Sequence, residues 1–174
     1  MDVNSDRKFY EDMLVRVGFG FDVHPLEEGA PLWLGGILIP SDRGATGHSD
    51  ADTLLHAICD ALLGTINAGD IGTHFSDRDP KWKGADSTLF LKKVVEMVTG
   101  AGYRINNIDT TIVLEAPKIA PFIPDIKQKL AEVMEIREDQ ISVKATTTEK
   151  LGFTGRREGV SAYCTALVRY ARPT

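Results

Sequence analysis

The chain has 174 residues, of which 43% are hydrophobic and 26% charged, and its formal net charge is −5. That length suits one domain with a substantial core, no apolar run is long enough to span a bilayer, and the scattered Lys and Arg residues argue against a nucleic-acid-binding surface. An anionic ligand would need local positive charge or metal ions.

Residues 1–14 open with Met1-Asp2-Val3-Asn4-Ser5-Asp6 and lack an apolar period, so they are expected to form a flexible extension. They also lack the basic start and apolar stretch of a signal peptide, and the chain reads as cytoplasmic. Residues 15–172 are expected to form the single domain. Val15, Val17, Phe19 and Phe21 alternate with Arg16, Gly18, Gly20 and Asp22, the period of a strand with two unlike faces. Asp22 and His24 then project from one face at the strand end. They form either a two-ligand claw for a divalent metal or merely a surface Asp and a capping His.

Pro25 to Leu32 reads as a loop, and Trp33 to Pro40 as a glycine-broken β-ribbon. Ser49-Asp50-Ala51-Asp52 has the form of a helix start, with Leu54, Leu55, Ile58, Ala61 and Leu62 on one stripe and Gly64 as the stop. His56 lies off that stripe and could complete a three-ligand set with Asp22 and His24, leaving a fourth position open as in catalytic zinc sites. His48 precedes the helix, either near an anion favoured by the helix N-terminus or as a local packing residue. Residues 65–85 form a long acidic loop, in which His74 reads as a solvated side chain. A second helix spans about 86–99 with Leu89, Val94, Met97 and Val98 as its buried stripe, followed by a strand over 107–115. Pro121 and Pro124 suit the start of a third helix with Ile126, Leu130, Val133 and Met134 inward.

Ile141 to Ala145 is a short strand running into Thr146-Thr147-Thr148-Glu149. Those hydroxyls and Glu149 either hold a phosphate and a hard cation or simply end the strand. Val160 to Tyr170 is the last strand. Cys59 and Cys164, with no CxxC spacing, read as reduced core residues. Uneven interleaving of strands and helices favours an α+β fold, a small mixed sheet with helices covering one face.

The segments GFDVH, HSDAD, GDIG, EAPKI, IPDI and KATTTEKLGFTGRREG occur here in this order. In them the chain resembles the 2-C-methyl-D-erythritol 2,4-cyclodiphosphate synthase family, the lyases that close the cyclic diphosphate in the non-mevalonate isoprenoid pathway. The resemblance spans about residues 15–170. It implies a homotrimer with active sites between subunits, zinc held at Asp22, His24 and His56, and magnesium or manganese at Glu149. It further implies that His48 and Thr147 steady the transition state. Substrate contacts are expected from Asp22, Val23, His24, His48 and Ser49, and from a mobile loop of Asp70, Ile71, Gly72, Phe75, Ser76, Asp77, Arg78 and Asp79. The neighbouring subunit is expected to bind cytidine through Leu114, Glu115, Ala116, Pro117, Lys118, Ile119, Ala120, Thr146, Thr147, Thr148 and Glu149, with Phe153 and Arg156 nearby.

The implied substrate is 4-diphosphocytidyl-2-C-methyl-D-erythritol 2-phosphate. Its rivals as readings are a zinc phosphohydrolase and a non-catalytic nucleotide- or isoprenoid-binding trimer. At the trimer axis the resemblance implies a channel bordered by Phe21, Phe153 and Arg156 and able to take an isoprenoid diphosphate. Phe19 and Tyr163 stand where many relatives carry His and Glu. A drier axis follows, with those two rings packed near it and Arg156 as the main anion anchor.

Overall fold

The computed structural model describes residues 14–76 and 79–171. Of the expected extension, residues 1–13 lie outside them. Leu14 does not behave as a loose end, because its carbonyl accepts the Tyr170 N–H at 2.9 Å.

Among the described residues seven strands are present: β1 (Val15–Glu28), β2 (Leu32–Leu34), β3 (Ile37–Ile39), β4 (Arg43–Ala45), β5 (Tyr103–Val113), β6 (Ile141–Thr146) and β7 (Gly159–Tyr170). Five of them form one sheet in the order β4-β1-β7-β5-β6, and β2 and β3 form the separate ribbon expected around Gly35-Gly36. The β5–β6 pair is parallel and the other pairs in the large sheet are antiparallel, so the sheet is mixed. β1 is longer than expected. It runs on to Glu28 because, after its last pairing with β7 at Pro25 and Gly159, it pairs with β4, where Leu26 faces Ala45.

The main helices are α1 (Thr53–Thr65), α3 (Ser87–Gly100) and α4 (Ile123–Met134); α2 (Ile71–His74) and α5 (Gly152–Gly155) are single turns. Helix α1 lies across β1 and β7. It can approach so closely because the sheet beneath it carries Gly18, Gly20, Ala162, Cys164 and Ala166: a Cβ at Gly18 would fall 1.9 Å from the Ala61 carbonyl oxygen. The helices therefore cover one sheet face, as expected. On the other face Val17, Phe19, Phe21, Val23 and Tyr163 are exposed, Phe19 to 64%.

The start of the first helix differs from the sequence reading. Asp52, not Ser49, caps α1: its fully buried carboxylate accepts the Leu55 N–H at 3.0 Å and the Gly35 and Gly36 N–H groups at 2.9 and 2.7 Å. One carboxylate thus fixes both the helix start and the ribbon turn. The helix continues through Gly64 to Thr65. In α3 the inward stripe is Phe90, Leu91, Val94 and Val98, while Leu89 is 52% exposed, since the helix begins at Ser87 and turns position 89 outward. Cys59 and Cys164 are free and buried, as expected. No helix among the described residues is long and apolar enough to cross a membrane.

Candidate functional site

Strand alternation places Asp22 and His24 on the helix-covered face of β1, and α1 delivers His56 beside them. Asp22 Oδ2, His24 Nε2 and His56 Nδ1 form a triangle with edges of 3.0, 3.0 and 3.1 Å. His56 lies off the Leu/Ile stripe, yet its ring is largely buried and lies 6.4 Å from that of Phe90.

The proton inventory of this triangle is set from outside it. His24 Nδ1 faces the Thr46 carbonyl oxygen at 3.2 Å, an acceptor, so Nδ1 carries the hydrogen and Nε2 is left with a lone pair. His56 Nε2 lies 2.9 Å from Ser87 Oγ. The Ser87 hydroxyl donates to Asp50 Oδ1 at 2.5 Å, so toward His56 it can only accept. His56 Nε2 then carries the hydrogen, and Nδ1 turns a lone pair inward. Two nitrogen lone pairs and a carboxylate oxygen converge with no hydrogen among them, an arrangement that fits a divalent cation and is repulsive without a positive charge.

Burial alone would raise the Asp22 carboxyl, but the His24 and His56 rings outweigh it and hold Asp22 well below the usual carboxylate range. At His56, burial works to lower the ring and the Asp22 carboxylate overrides it, so the net shift is upward.

A cavity of about 300 Å³ opens beside the triangle, lined by His24, His48, Ser49, His56, Ile71, Gly72, Phe75, Trp82 and Phe90. It gathers His48, Ser49 and part of the expected mobile loop. Among the described residues His48 Nε2 is buried without a hydrogen-bond partner, a donor or acceptor held in reserve at the pocket. Ser49 Oγ lies 3.2 Å from His56 Nε2, so Ser49 serves the site rather than the helix cap. Ile71 at the start of α2 is tied down by its N–H bond to Asp60 at 2.7 Å, and Phe75 is gripped by Phe90 and Trp82 at centroid distances of 4.7 and 5.3 Å.

Other expected residues stand differently. The Val23 side chain points to the opposite, exposed face, the necessary result of alternation next to Asp22 and His24, so it cannot enter this pocket. Asp70 caps α2 through Thr73 at 2.8 Å, and Asp79 caps the turn at Pro80 and pairs with Lys81 at 2.7 Å. Asp77 and Arg78 lie outside the described residues, and Ser76 is within them. His74 is not a solvated side chain: its Nε2 donates to the Ala68 carbonyl at 2.7 Å, because the short α2 folds it back on the loop.

A second cavity, of about 270 Å³, is lined by Leu114, Glu115, Pro117, Lys118, Ile119, Ala120, Ala145, Thr146 and Thr147. It therefore collects most of the expected cytidine set, and it shares no lining residue with the first. Ala116 belongs to the same turn, whereas Thr148, half-buried, and Glu149, exposed, lie just beyond it. Thr147 Oγ donates to Glu149 Oε1 at 3.1 Å, and the Thr148 hydroxyl to the Leu151 carbonyl at 2.6 Å. Glu149 adopts φ +53°, a left-handed conformation that turns the chain sharply after the threonines. Phe153 follows on α5, and Arg156 caps the C-terminal end of that turn. The Arg156 guanidinium is clasped by Glu158 at 2.8 and 2.9 Å, so an anion would have to compete with that carboxylate.

Sequence reading missed Asp50, Ser87, Trp82 and Phe90. The helical spacing of Phe90 with Val94 and Val98 was visible, but only the fold shows that this stripe ends beneath a metal-type cluster. The fold and the cluster define an α+β enzyme centred on two histidines and a carboxylate.

The chain belongs to the YgbB family, whose profile matches residues 15–169. It is 60% identical over 156 residues to 2-C-methyl-D-erythritol 2,4-cyclodiphosphate synthase of Bacteroides fragilis strain YCH46, covering 90% of this chain and 98% of that one. A solved structure of 2C-methyl-D-erythritol-2,4-cyclodiphosphate synthase in a CDP-bound form superposes with a TM-score of 0.82 at 38% identity, covering 88% of this chain and 99% of that chain. The Plasmodium falciparum IspF CDP complex superposes with a TM-score of 0.80 at 33% identity, covering 91% and 97%.

Proposed function

We propose that the chain converts 4-diphosphocytidyl-2-C-methyl-D-erythritol 2-phosphate into 2-C-methyl-D-erythritol 2,4-cyclodiphosphate and CMP. One observation carries the reading: the hydrogen-free triangle of Asp22, His24 and His56 opens onto a pocket in a chain 60% identical to a synthase of that name. Its edges of 3.0 to 3.1 Å approach the ~3.3 Å spacing of ligands about a tetrahedral zinc ion with bonds of about 2.0–2.1 Å. Asp22, His24 and His56 would hold zinc, and Glu149 magnesium or manganese; bound there, the two cations supply Lewis-acid polarisation and neutralise diphosphate charge.

The side chains fold the substrate back on itself. His48, whose Nε2 has no partner among the described residues, and Ser49 bind the phosphorylated methylerythritol, while Ile71, Gly72 and Phe75 cover it and exclude water. The second cavity takes the cytidine end, a reading supported by the CDP complexes of the solved relatives. Thr147 donates toward the diphosphate. The 2-phosphate oxygen attacks the β-phosphorus, and the bond from that phosphorus to the oxygen bridging to the α-phosphate breaks, releasing CMP. Nucleophile and target share one molecule, so positioning and charge stabilisation suffice and no covalent enzyme intermediate forms.

The chain acts as a cytoplasmic homotrimer of single domains spanning 15–172, in which the first cavity of one subunit meets the second cavity of its neighbour. The bare apolar face with Phe19, Phe21 and Tyr163 supports this assembly, since a patch of that kind calls for cover. It would line the axis, with an isoprenoid diphosphate held at Arg156. Phosphorus NMR of the products formed with Zn²⁺ and Mg²⁺ tests the reaction: the cyclic diphosphate and CMP are expected. CMP release from an analogue lacking the 2-phosphate would instead identify a hydrolase.

A further inference from the structure

The His56 ring is held from behind by a chain of two residues from different elements. Ser87, the first residue of α3 and fully buried, places Oγ 2.9 Å from His56 Nε2. Asp50, in the segment entering α1, accepts both the Ser87 hydroxyl, at 2.5 Å, and the Ser87 backbone N–H, at 2.9 Å. The two segments are stitched further by the Asp50 N–H to the Ala85 carbonyl at 3.1 Å and the Gly84 N–H to the His48 carbonyl at 2.8 Å.

We infer that Ser87 and Asp50 are positioning residues that select the Nε2-protonated tautomer of His56 and so aim its Nδ1 lone pair at the metal position. Asp50, bonded twice to Ser87, leaves its hydroxyl no hydrogen to offer the ring. Without that acceptor behind it, the neutral ring would move its hydrogen to Nδ1, where Asp22 Oδ2 waits 3.0 Å away. That hydrogen would occupy the lone pair the cation needs. His24 has no share in the device: a backbone carbonyl, of Thr46, fixes its tautomer. The two histidines are thus oriented by different means, one by side chains that mutation can remove and one by main chain that it cannot. Ser49 Oγ, 3.2 Å from the same nitrogen and 3.4 Å from Ser87 Oγ, is a poorer substitute at longer range.

The inference rests on the metal reading of the triangle, and the test separates the two. Ser87→Ala and Asp50→Asn are prepared, and the tautomers of His24 and His56 are read from imidazole nitrogen-15 shifts in metal-free protein, at a pH where both rings are neutral. Zinc affinity is measured by competition with a chromophoric chelator. In Ser87→Ala the His56 ring is expected to shift toward the Nδ1-protonated form while His24 keeps its tautomer, and zinc affinity to fall by about 10- to 100-fold. Asp50→Asn, which replaces one acceptor by an NH₂ donor, is expected to move both readouts in the same direction. An unchanged His56 tautomer in both variants overturns the inference, whatever the affinity, and so does a joint shift of His24 and His56, which marks a general disturbance. Failure of the unsubstituted protein to bind zinc removes the metal reading, while the tautomer comparison still decides what Ser87 and Asp50 do.

Discussion

The carbonyl oxygen of Ala57 rides directly over Gly20: a Cβ added to Gly20 would fall 2.0 Å from it. Two residues further along β1 is Asp22, and one residue before Ala57 on α1 is His56, so this close approach sets how far the carboxylate and the imidazole stand apart. Gly20→Ala is therefore expected to push α1 off the sheet. The cost is about 3 kcal/mol, read by denaturant unfolding, and metal affinity falls with it. A variant with unchanged stability and metal affinity would show that the helix seat does not govern the cluster.

Asp22→Asn removes the one anionic member of the triangle. Zinc retention on dialysis is expected to fall well below one ion per chain and turnover by at least about 100-fold, while His24 and His56 remain in place. Full turnover with stoichiometric zinc would show that Asp22 is not a ligand.

Glu149 lies apart from that triangle, outside both cavities, with Thr147 as its hydrogen-bond partner. Glu149→Gln is expected to raise the magnesium concentration needed for half-maximal turnover by about tenfold and to leave bound zinc unchanged. The titration fails the assignment if the two magnesium curves superimpose.

Arg156 and Glu158 neutralise one another in a two-point pair at the surface. Farnesyl diphosphate binding, followed by calorimetry, is expected to weaken by about tenfold in Arg156→Ala and to tighten in Glu158→Gln, where the guanidinium is released. Undiminished binding by Arg156→Ala would move the anion anchor elsewhere.

Both thiols should be silent. Burial raises Cys59 well above the ordinary thiol range and pushes Cys164 up to about 12. A disulfide reagent at neutral pH is expected to label neither in the native protein and both after denaturation. Rapid labelling of the native protein would mean that the sheet beneath α1 opens.

The parts of the fold written in local pattern were legible in the chain. The alternation of Val15 to Asp22 revealed the two faces of β1, and the Asp22, His24, His56 set was readable once a strand and a helix were placed side by side. Relations that depend on long-range placement were not. Ser49 looked like a helix cap because serine three residues before an acid often is one, but the ribbon turn at Gly35-Gly36 needed a buried acceptor, and Asp52 meets both demands. Ser87 gave no signal at all, since its partners are 31 and 37 residues away. Val23, inside GFDVH, turns its side chain to the face opposite Asp22 and His24, as the alternation of β1 requires.

The unlike faces of β1 also determine what kinds of genetic change the protein survives. Substitutions at Val17, Phe19 or Phe21 alter the exposed face and leave the donors of the cluster on their own side of the strand. Loss or gain of a single codon between Val15 and Phe21 acts otherwise. It would either slide the strand by one position against β7, bringing aromatic rings under α1 and turning the metal donors outward, or force a bulge at the Gly18-Gly20 helix seat. In this stretch a change of letter is felt on one face, whereas a change of length is felt on both.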